Sequence, residues 1–589
     1  MHAARRFLDN MRDDWVMVKL DFANAFNSLH RSAILNAIAS MAPHLYKYCF
    51  SAYAAPSSLI FGDFEISSEE GIQQGDPLGP ILFCLCLQPI LEQIIAPLRI
   101  GYTDDLTFGG PAPMVAQAVE DIQTLGEPLG LKLNPSKCEI IECSLAASHG
   151  AFQGFIRLDK SEASLLGAPL LAGKAMDDIL RGKCEELARG MSRLCLLDAH
   201  DALILLRAAV GHPTIMNVLR AAPCVDNPAL EHFDSMLRTG LSKIVNCELS
   251  DLAWIQAGLP IRDGGLGVRS VALLAPSAFL ASAAATLDLQ DAVLSEVELE
   301  LDSCVPHVAA RWSEMFDSEP LSGSAARSQR SWDAVAINHG KTALVVHNMN
   351  PFDRARLLAV SAPHSGDWLM ALPVASCGLR LDNESIRVAV GLRLGCVLCS
   401  AHRCSCGAIV SDRGVHGLSC RLAVGRLARH NAINDIIHRA LGRAGVPSVL
   451  EPKGLTSSDD RRPDGLTMIP WSEGRCLAWD ATVSDSLAES HLNRTVHAAG
   501  AAAEFAADAK KRKYADLPRA VTFVPVAVET LGPICSDGTE FITELGRRIA
   551  SVSGDPRDTA FLFQRISIAV QRGNAASVLV PLRLVSDSN

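Results

Sequence analysis

Asp104 and Asp105 stand side by side in Tyr102-Thr103-Asp104-Asp105, between Ile100-Gly101 and Leu106-Thr107-Phe108. Apolar, β-prone residues on both sides of a short acidic tip predict a β-hairpin. Two adjacent carboxylates at such a tip repel each other, and a divalent cation relieves the repulsion. Asp21 ends a second β-prone run, Val16-Met17-Val18-Lys19-Leu20. With that strand beside the hairpin, three carboxylates converge. They suffice to hold two Mg²⁺ ions about 3.5–4 Å apart for in-line phosphoryl transfer. Magnesium suits the site because it takes few carboxylates and keeps waters and substrate phosphates as its other ligands. Taken alone, an Asp-Asp pair reads better as a surface turn.

Two further groups have chemical potential. Cys396, Cys399, His402, Cys404, Cys406, His416 and Cys420 fall within 25 residues. In a reducing compartment such density points to tetrahedral Zn²⁺ rather than to buried free thiols. Asp464 follows Pro463, and Asp480 lies in Cys476-Leu477-Ala478-Trp479-Asp480-Ala481-Thr482-Val483, which reads as a buried strand. An Ala-rich helical segment then leads to Lys510, Lys511, Lys513 and Tyr514. Two carboxylates suit Mg²⁺, and a lysine near a phosphodiester is a point charge suited to phosphate. A Pro-Asp dipeptide by itself is usually a turn.

Elements must position these groups. Leu29, Ala33, Ile34 and Ile38 have helical spacing, so a helix is expected from Ser28 through Ala39. Pro77 ends a loop and opens a helix expected over Ile81 to Ile95. Residues 175 to 345 read as mostly helical, with helices at Leu203 to Arg207 and Ile215 to Leu219. Val271 to Leu287 is apolar, but Pro276, Ser277, Ser282 and its alanines favour a buried helix over a membrane span. Gly264-Gly265-Leu266-Gly267 follows Pro260 and Asp263, so it reads as a turn and not a phosphate loop. Ser318 to Arg330 is a plausible flexible boundary. A helix over Asn431 to Leu441 and a strand over Val521 to Val528 bracket the second acidic group. Gln564-Arg565 and Gln571-Arg572 repeat at seven residues and share a helix face, read as a solvated face or a DNA-facing stripe.

The chain has 589 residues, room for three or four domains, and 49% of them are hydrophobic, ample for packed cores. A net charge of −11 argues against nucleic acid covering the whole surface but permits local basic grooves. Eighteen cysteines and a charged N-terminus without an apolar core suggest a reducing, intracellular compartment.

Four more stretches accompany the carboxylates. Lys19-Leu20-Asp21-Phe22-Ala23-Asn24-Ala25-Phe26 lies upstream, and Gly71-Ile72-Gln73-Gln74-Gly75-Asp76-Pro77-Leu78-Gly79-Pro80 lies between. Gly130-Leu131-Lys132-Leu133-Asn134-Pro135-Ser136-Lys137-Cys138 follows, then Leu165-Leu166-Gly167. In this order and spacing the set resembles the palm of reverse transcriptases, motifs A to E, most closely in non-LTR retrotransposons. The resemblance implies that Asp21, Asp104 and Asp105 hold Mg²⁺, with the Phe22 carbonyl as a further ligand. It implies that Phe26 is an aromatic gate against a ribose 2′-hydroxyl, although a core phenylalanine is the commoner case. Gln74 and Gly75 would face nucleotide and template, Gly75 because no Cβ blocks approach. Lys137 would sit near the pyrophosphate, or be simply an exposed loop lysine. Only 20 residues precede Asp21, so the fingers region of such enzymes is expected to be missing and the palm truncated at its N-terminus.

Cys404, Cys406, His416 and Cys420 resemble the zinc knuckle of single-reading-frame, site-specific non-LTR elements. One residue rather than two or more separates the first pair, so Cys399 and His402 compete as ligands. Asp464, Asp480 and a lysine on the following helix resemble a restriction-like endonuclease. Lys510 is the lysine chosen, from the Lys-x-x-Lys-Tyr spacing. The expected fold is α+β and multidomain. It comprises a palm over 1–174, a helical thumb and connector over 175–345, a connector with zinc knuckle over 346–428, and an α/β restriction-like endonuclease over 429–589. The leading expectation is an RNA-directed DNA polymerase with a linked endonuclease, using Mg²⁺ and Zn²⁺. Its partners would be an RNA template, a DNA target and primer, and deoxynucleoside triphosphates, in the nucleus and without a membrane. A chain acting only as a nuclease, or a non-catalytic nucleic-acid-binding relic, are the alternatives.

Overall fold

The computed structural model of the chain describes residues 1–142, 149–347, 350–455 and 462–586. Two compact units result, both built from discontinuous segments. One comprises Met1–Gly182, Met216–Ala229 and Ala275–Trp332; the other comprises Lys183–Ile215, Leu230–Leu274 and Asp333–Asn589.

The first unit is organised by β1 (Trp15–Leu20), which alternates between two cores. Val16, Val18 and Leu20 enter one, and Trp15 and Met17 enter the other. A strand buried on both faces becomes a central strand. Its sheet contains β4 (Leu98–Tyr102), β5 (Asp105–Pro111), β6 (Glu139–Glu142) and β7 (Ile156–Leu158), in the order β4-β5-β1-β6-β7. Helix α1 (His2–Asp9) covers one face through Phe7 and Leu8. Helices α2 (Arg31–Met41), α3 (Gly79–Leu91) and α4 (Ala112–Gly126) cover the other. Two hairpins flank the sheet: β2 (Ser57–Phe61) with β3 (Phe64–Ser68), and β8 (Ser164–Leu165) with β9 (Ala168–Pro169). Leu166 and Gly167 join the second with positive φ values of 47° and 74°, the geometry of a two-residue type I′ turn.

Helix bounds shift where tertiary hydrogen bonds override periodicity. The expected helix from Ser28 breaks because Leu29 O accepts from Gly71 N and His30 N donates to Leu129 O. Helix α2 therefore begins at Arg31. Helix α3 starts before Ile81 because Asp76 caps it, accepting from Leu78 N and Gly79 N.

In the second unit the helix expected at Leu203 to Arg207 changes to a π-turn at Leu206. Gly264 and Gly267 form the expected turn, with φ of +88° and +75°. The buried Arg393 guanidinium fixes that turn by donating to the carbonyls of Gly265, Ser365 and Ile261. A small hairpin, β10 (His402–Arg403) with β11 (Ile409–Val410), precedes a four-stranded sheet. That sheet runs β12 (Ser448–Leu450), β13 (Gly465–Thr467), β14 (Cys476–Ser484), β15 (Val521–Glu529), with the last pair parallel. Leu477, Trp479 and Ala481 alternate onto one face. There they meet α5 (Gly425–Arg443), α7 (Ser536–Ser553) and α8 (Asp558–Ser586). The other face receives α6 (Ala501–Lys513) through Ala503 and Ala507 against Ala527. Helix α5 begins six residues before the expected Asn431 because Gly425 lets α8 approach. A Cβ there would lie 2.2 Å from Gly573 O. The glutamine–arginine repeat on α8 is solvated only in part: Gln571 is buried, while Arg572 is exposed and donates to the carbonyls of Gly378 and Arg380.

Candidate functional site

The palm acids sit where β1 meets the β4–β5 hairpin. Leu20 lies opposite Leu106, so Asp21, next after Leu20, and Asp105, just before Leu106, lie at the same end of this ladder. Thr103-Asp104 is the hairpin loop, with Tyr102 paired to Asp105. Thr103 has a φ of +55°, a strained conformation for a β-branched residue, and strain of this kind concentrates at functional sites. Lost hydration raises the Asp105 carboxyl above its ordinary range, and the charges of Asp104 and Asp21 push it the same way. Lys19 opposes them, but its ammonium is shared with Glu139 at 2.6 Å. A carboxylate destabilised by two neighbouring carboxylates, with one shared cation beside it, is a setting in which a divalent cation would relieve repulsion.

The chain after Asp21 is pinned by the loop that carries Lys137. Asn134 N donates to Asp21 O at 2.8 Å, Ala23 N donates to Lys132 O, and Phe22 bridges to Leu133. The Phe22 side chain is buried, and Lys137 is exposed. Phe26 is half-buried and stacks on Phe83 with ring centroids 4.7 Å apart. It is a core contact with one exposed side. Gln74 is exposed, and Gly75 has a φ of +92° with open space around it. The neighbouring Gln73 donates to Ser57 Oγ, tying this loop to the β2–β3 hairpin.

In the second unit, Asp464 directly precedes β13 and Asp480 lies in β14. Gly465 is opposite Trp479, so the two acids are adjacent across the ladder. Asp480 is 2% exposed and points to the α6 face, away from Trp479. Lys510 of α6 pairs with its Oδ1, and Tyr514 hydroxyl reaches its Oδ2 at 2.7 Å. Asp464 Oδ2 accepts from Ala481 N at 2.7 Å, and its Oδ1 lies 3.4 Å from His430 Nε2. The other ring nitrogen of His430 is 3.2 Å from Ala481 O. With oxygens at both nitrogens, chiefly Asp464, the imidazolium is favoured and the His430 pKa is raised. Burial pushes Asp464 up, but His430, Asn434 and the Ala481 amide outweigh it and hold its pKa below the ordinary value.

Cys404, Cys406, His416 and Cys420 form the third cluster, with four ligand atoms within 4.8 Å of one another. Cys404 and Cys420 sulfurs are 3.8 Å apart. Tetrahedral Zn²⁺ with bonds of about 2.3 Å requires about 3.8 Å between sulfurs. Cys406 lies 3.2 Å from His416 Nε2, and its thiol is pulled down to about 7 by the Ala408 amide and its three neighbours. Cys399 instead faces the carbonyls of Ser411 and Asp412, and His402 Nδ1 lies 2.9 Å from Ser400 O. The donor set can hold a zinc ion.

Residues 1–170 match the family described as reverse transcriptase (RNA-dependent DNA polymerase). The chain is 23% identical over 473 residues to the Retrotransposable element SLACS 132 kDa protein of Trypanosoma brucei gambiense. It is 24% identical over 490 residues to the Retrovirus-related Pol polyprotein from type-2 retrotransposable element R2DM of Drosophila melanogaster. Each match covers 76% of this chain, but 35% and 44% of those relatives, so the chain spans less than half of their length. Residues 1–170 are a reverse transcriptase domain of the non-LTR retrotransposon class.

Each match covers far more of the chain than residues 1–170, so the similarity extends beyond the reverse transcriptase domain. Two residues there escape sequence reasoning. His430 is one histidine on an amphipathic helix and has no signature. Tyr514 stands in the Lys-x-x-Lys-Tyr run that singled out Lys510, but nothing in the spacing foretells its contact with Asp480.

Proposed function

We propose that the chain is an RNA-directed DNA polymerase of a retroelement with a linked DNA endonuclease, acting by target-primed reverse transcription. The order of the palm motifs, with Asp105 opening β5, Asp104 in the loop before it and Asp21 directly after the neighbouring strand β1, supports this reading. These carboxylates are the Mg²⁺ ligands of the polymerase site. Bound there, Mg²⁺ supplies charge stabilisation of the attacking and leaving oxygens. Phe26 excludes the ribose 2′-hydroxyl, Gln74 and Gly75 contact nucleotide and template, and Lys137 meets the phosphate charge. Phe22 contributes its carbonyl to the same metal site.

Asp464 and Asp480 form a second Mg²⁺ site, and Lys510 stabilises the negative charge that develops on the cleaved phosphodiester. Cys404, Cys406, His416 and Cys420 hold a structural Zn²⁺. The functional divisions are palm 1–174, thumb and connector 175–345, zinc knuckle region 346–428 and endonuclease 429–589. An RNA template, a DNA target and primer, and deoxynucleoside triphosphates are the partners, and the nucleus is the place of action.

Primer extension tests this reading. The full chain is given an RNA template with an annealed DNA primer, deoxynucleotides and Mg²⁺. Extension that is abolished by Asp104→Ala supports it. Extension that persists near the wild-type rate in that variant, or none from the wild type, refutes it.

A further inference from the structure

Tyr514 follows α6 and is buried, with its ring against Phe523 at a centroid distance of 4.7 Å. Its hydroxyl lies 2.6 Å from Arg462 O and 2.7 Å from Asp480 Oδ2. The Lys513 ammonium donates to it at 2.8 Å. Arg462 is two residues before Asp464. One hydroxyl therefore touches both segments that carry the acids of the second site.

The sheet joins these segments through a short ladder and through the Ala481 N–H donated to Asp464 Oδ2 at 2.7 Å. β13 and β14 are registered through Gly465–Trp479 and Leu466–Ala478, and Asp464 stands beyond the end of that ladder. A hydroxyl carries one proton, so Tyr514 donates to one oxygen at a time while Lys513 supplies another. Either way the phenol is a fixed spacer, because Phe523 and α6 set its ring. Magnesium demands near-ideal geometry with bonds of about 2.0–2.1 Å, so two carboxylates sharing it tolerate little drift.

We propose that Tyr514 is a positioning residue, which sets the separation of Asp464 and Asp480 for a shared divalent cation. The proposal rests on the endonuclease reading of this site. Groups behind metal ligands typically contribute about 10–100-fold in metal affinity. Tyr514→Phe removes both hydroxyl contacts and keeps the ring on Phe523.

The test is Mn²⁺ binding, read by electron paramagnetic resonance on the full chain. Asp21→Asn, Asp104→Asn and Asp105→Asn are included throughout to silence the palm. In that background Tyr514→Phe should weaken Mn²⁺ binding about tenfold. Tyr514→Phe should keep a cooperative thermal melt, which marks the loss as local to the site. Unchanged affinity in Tyr514→Phe overturns the proposal. So does loss of the cooperative melt in Tyr514→Phe, since unfolding alone would then explain the effect. Asp480→Asn separates the two levels. If it leaves Mn²⁺ binding intact, the metal-site reading itself falls, and the role of Tyr514 falls with it.

Discussion

Leu20 of β1 pairs with Leu106 of β5, so Asp21, which follows Leu20, and Asp105, which precedes Leu106, stand at the same end of that ladder. The two strands thus bring two carboxylates to the same end of the sheet, and the hairpin loop carries Asp104 beside them. Their mutual repulsion raises the Asp105 pKa, on top of lost hydration. Asp105→Asn should therefore raise the melting temperature slightly, by about 1–3 °C, while abolishing primer extension. Thermal denaturation in chelator, beside an extension assay, reads both. A lower melting temperature would show that the acids do not strain this tip.

Phe26 presents one side to the core and one to the surface. Stacking on Phe83 makes Phe26→Ala a packing mutation, with a cost of about 1–3 kcal/mol. The gate role predicts something packing alone does not: a higher ratio of ribonucleotide to deoxynucleotide incorporation. Competition between the two nucleotides on one primed template measures that ratio. A constant ratio in a folded variant would leave Phe26 as core only.

The zinc cluster predicts one zinc per chain by metal analysis of purified protein. Cys406→Ser with His416→Ala should remove it, because both donors lie in the four-atom group. Cys399→Ser should not, since that thiol faces the Ser411 and Asp412 carbonyls. Zinc content that survives the double substitution would eliminate this ligand set.

Strand β1 was legible because its residues are β-prone and apolar on both faces, whereas the palm reading needed the whole ordered set of motifs, since an Asp-Asp pair alone reads as a turn. Asp480 stood out as one carboxylate in a buried apolar strand, while Asp464 had only the Pro-Asp dipeptide, whose local reading is a turn. Helix ends were not legible. The break at Leu29–His30 is imposed by Gly71 and Leu129, residues far along the chain. The two compact units were not legible either, because distant segments complete each of them. His430 has no local signal at all, since its meaning lies in the Asp464 carboxylate that the fold brings to it.

That pair predicts a pH dependence. The His430 pKa is raised in the fold, so its contribution is complete below the ordinary 6.5 and is lost as pH rises through the folded value. The Asp464 pKa is depressed, so its share is present above the ordinary 3.8 and is lost as pH falls through its folded value. Wild type should thus exceed His430→Gln in stability most clearly between those limits, by about 1 kcal/mol after allowance for solvent screening. The gap should shrink above pH 6.5. Denaturant melts across that range test it, and a gap that grows with pH would rule out the ion pair.

Lys510 and Asp480 make the sharpest separable prediction, because removing either partner leaves the other exposed to a different fate. Asp480 is nearly inaccessible, so Lys510→Ala leaves a buried carboxylate without its ammonium, though Tyr514 still reaches it. Uncompensated burial of a charge is destabilising by about 3–5 kcal/mol in the extreme, and Tyr514 and Lys513 reduce that here. Lys510→Arg keeps the charge and should keep the fold, but a planar guanidinium cannot place its charge where a compact ammonium does. Asp480→Asn removes a proposed metal ligand and leaves Lys510 half-exposed, where water can solvate it. Full-length protein in Mg²⁺ should nick supercoiled DNA. Asp480→Asn and Lys510→Ala should each lower that rate by at least about a hundredfold, while Lys510→Arg retains the melting temperature and loses the rate. Nicking that survives Asp464→Ala and Asp480→Asn together would place the cleavage elsewhere. Nicking that falls only in proportion to the folded fraction would make Lys510 a counter-ion to Asp480 and nothing more.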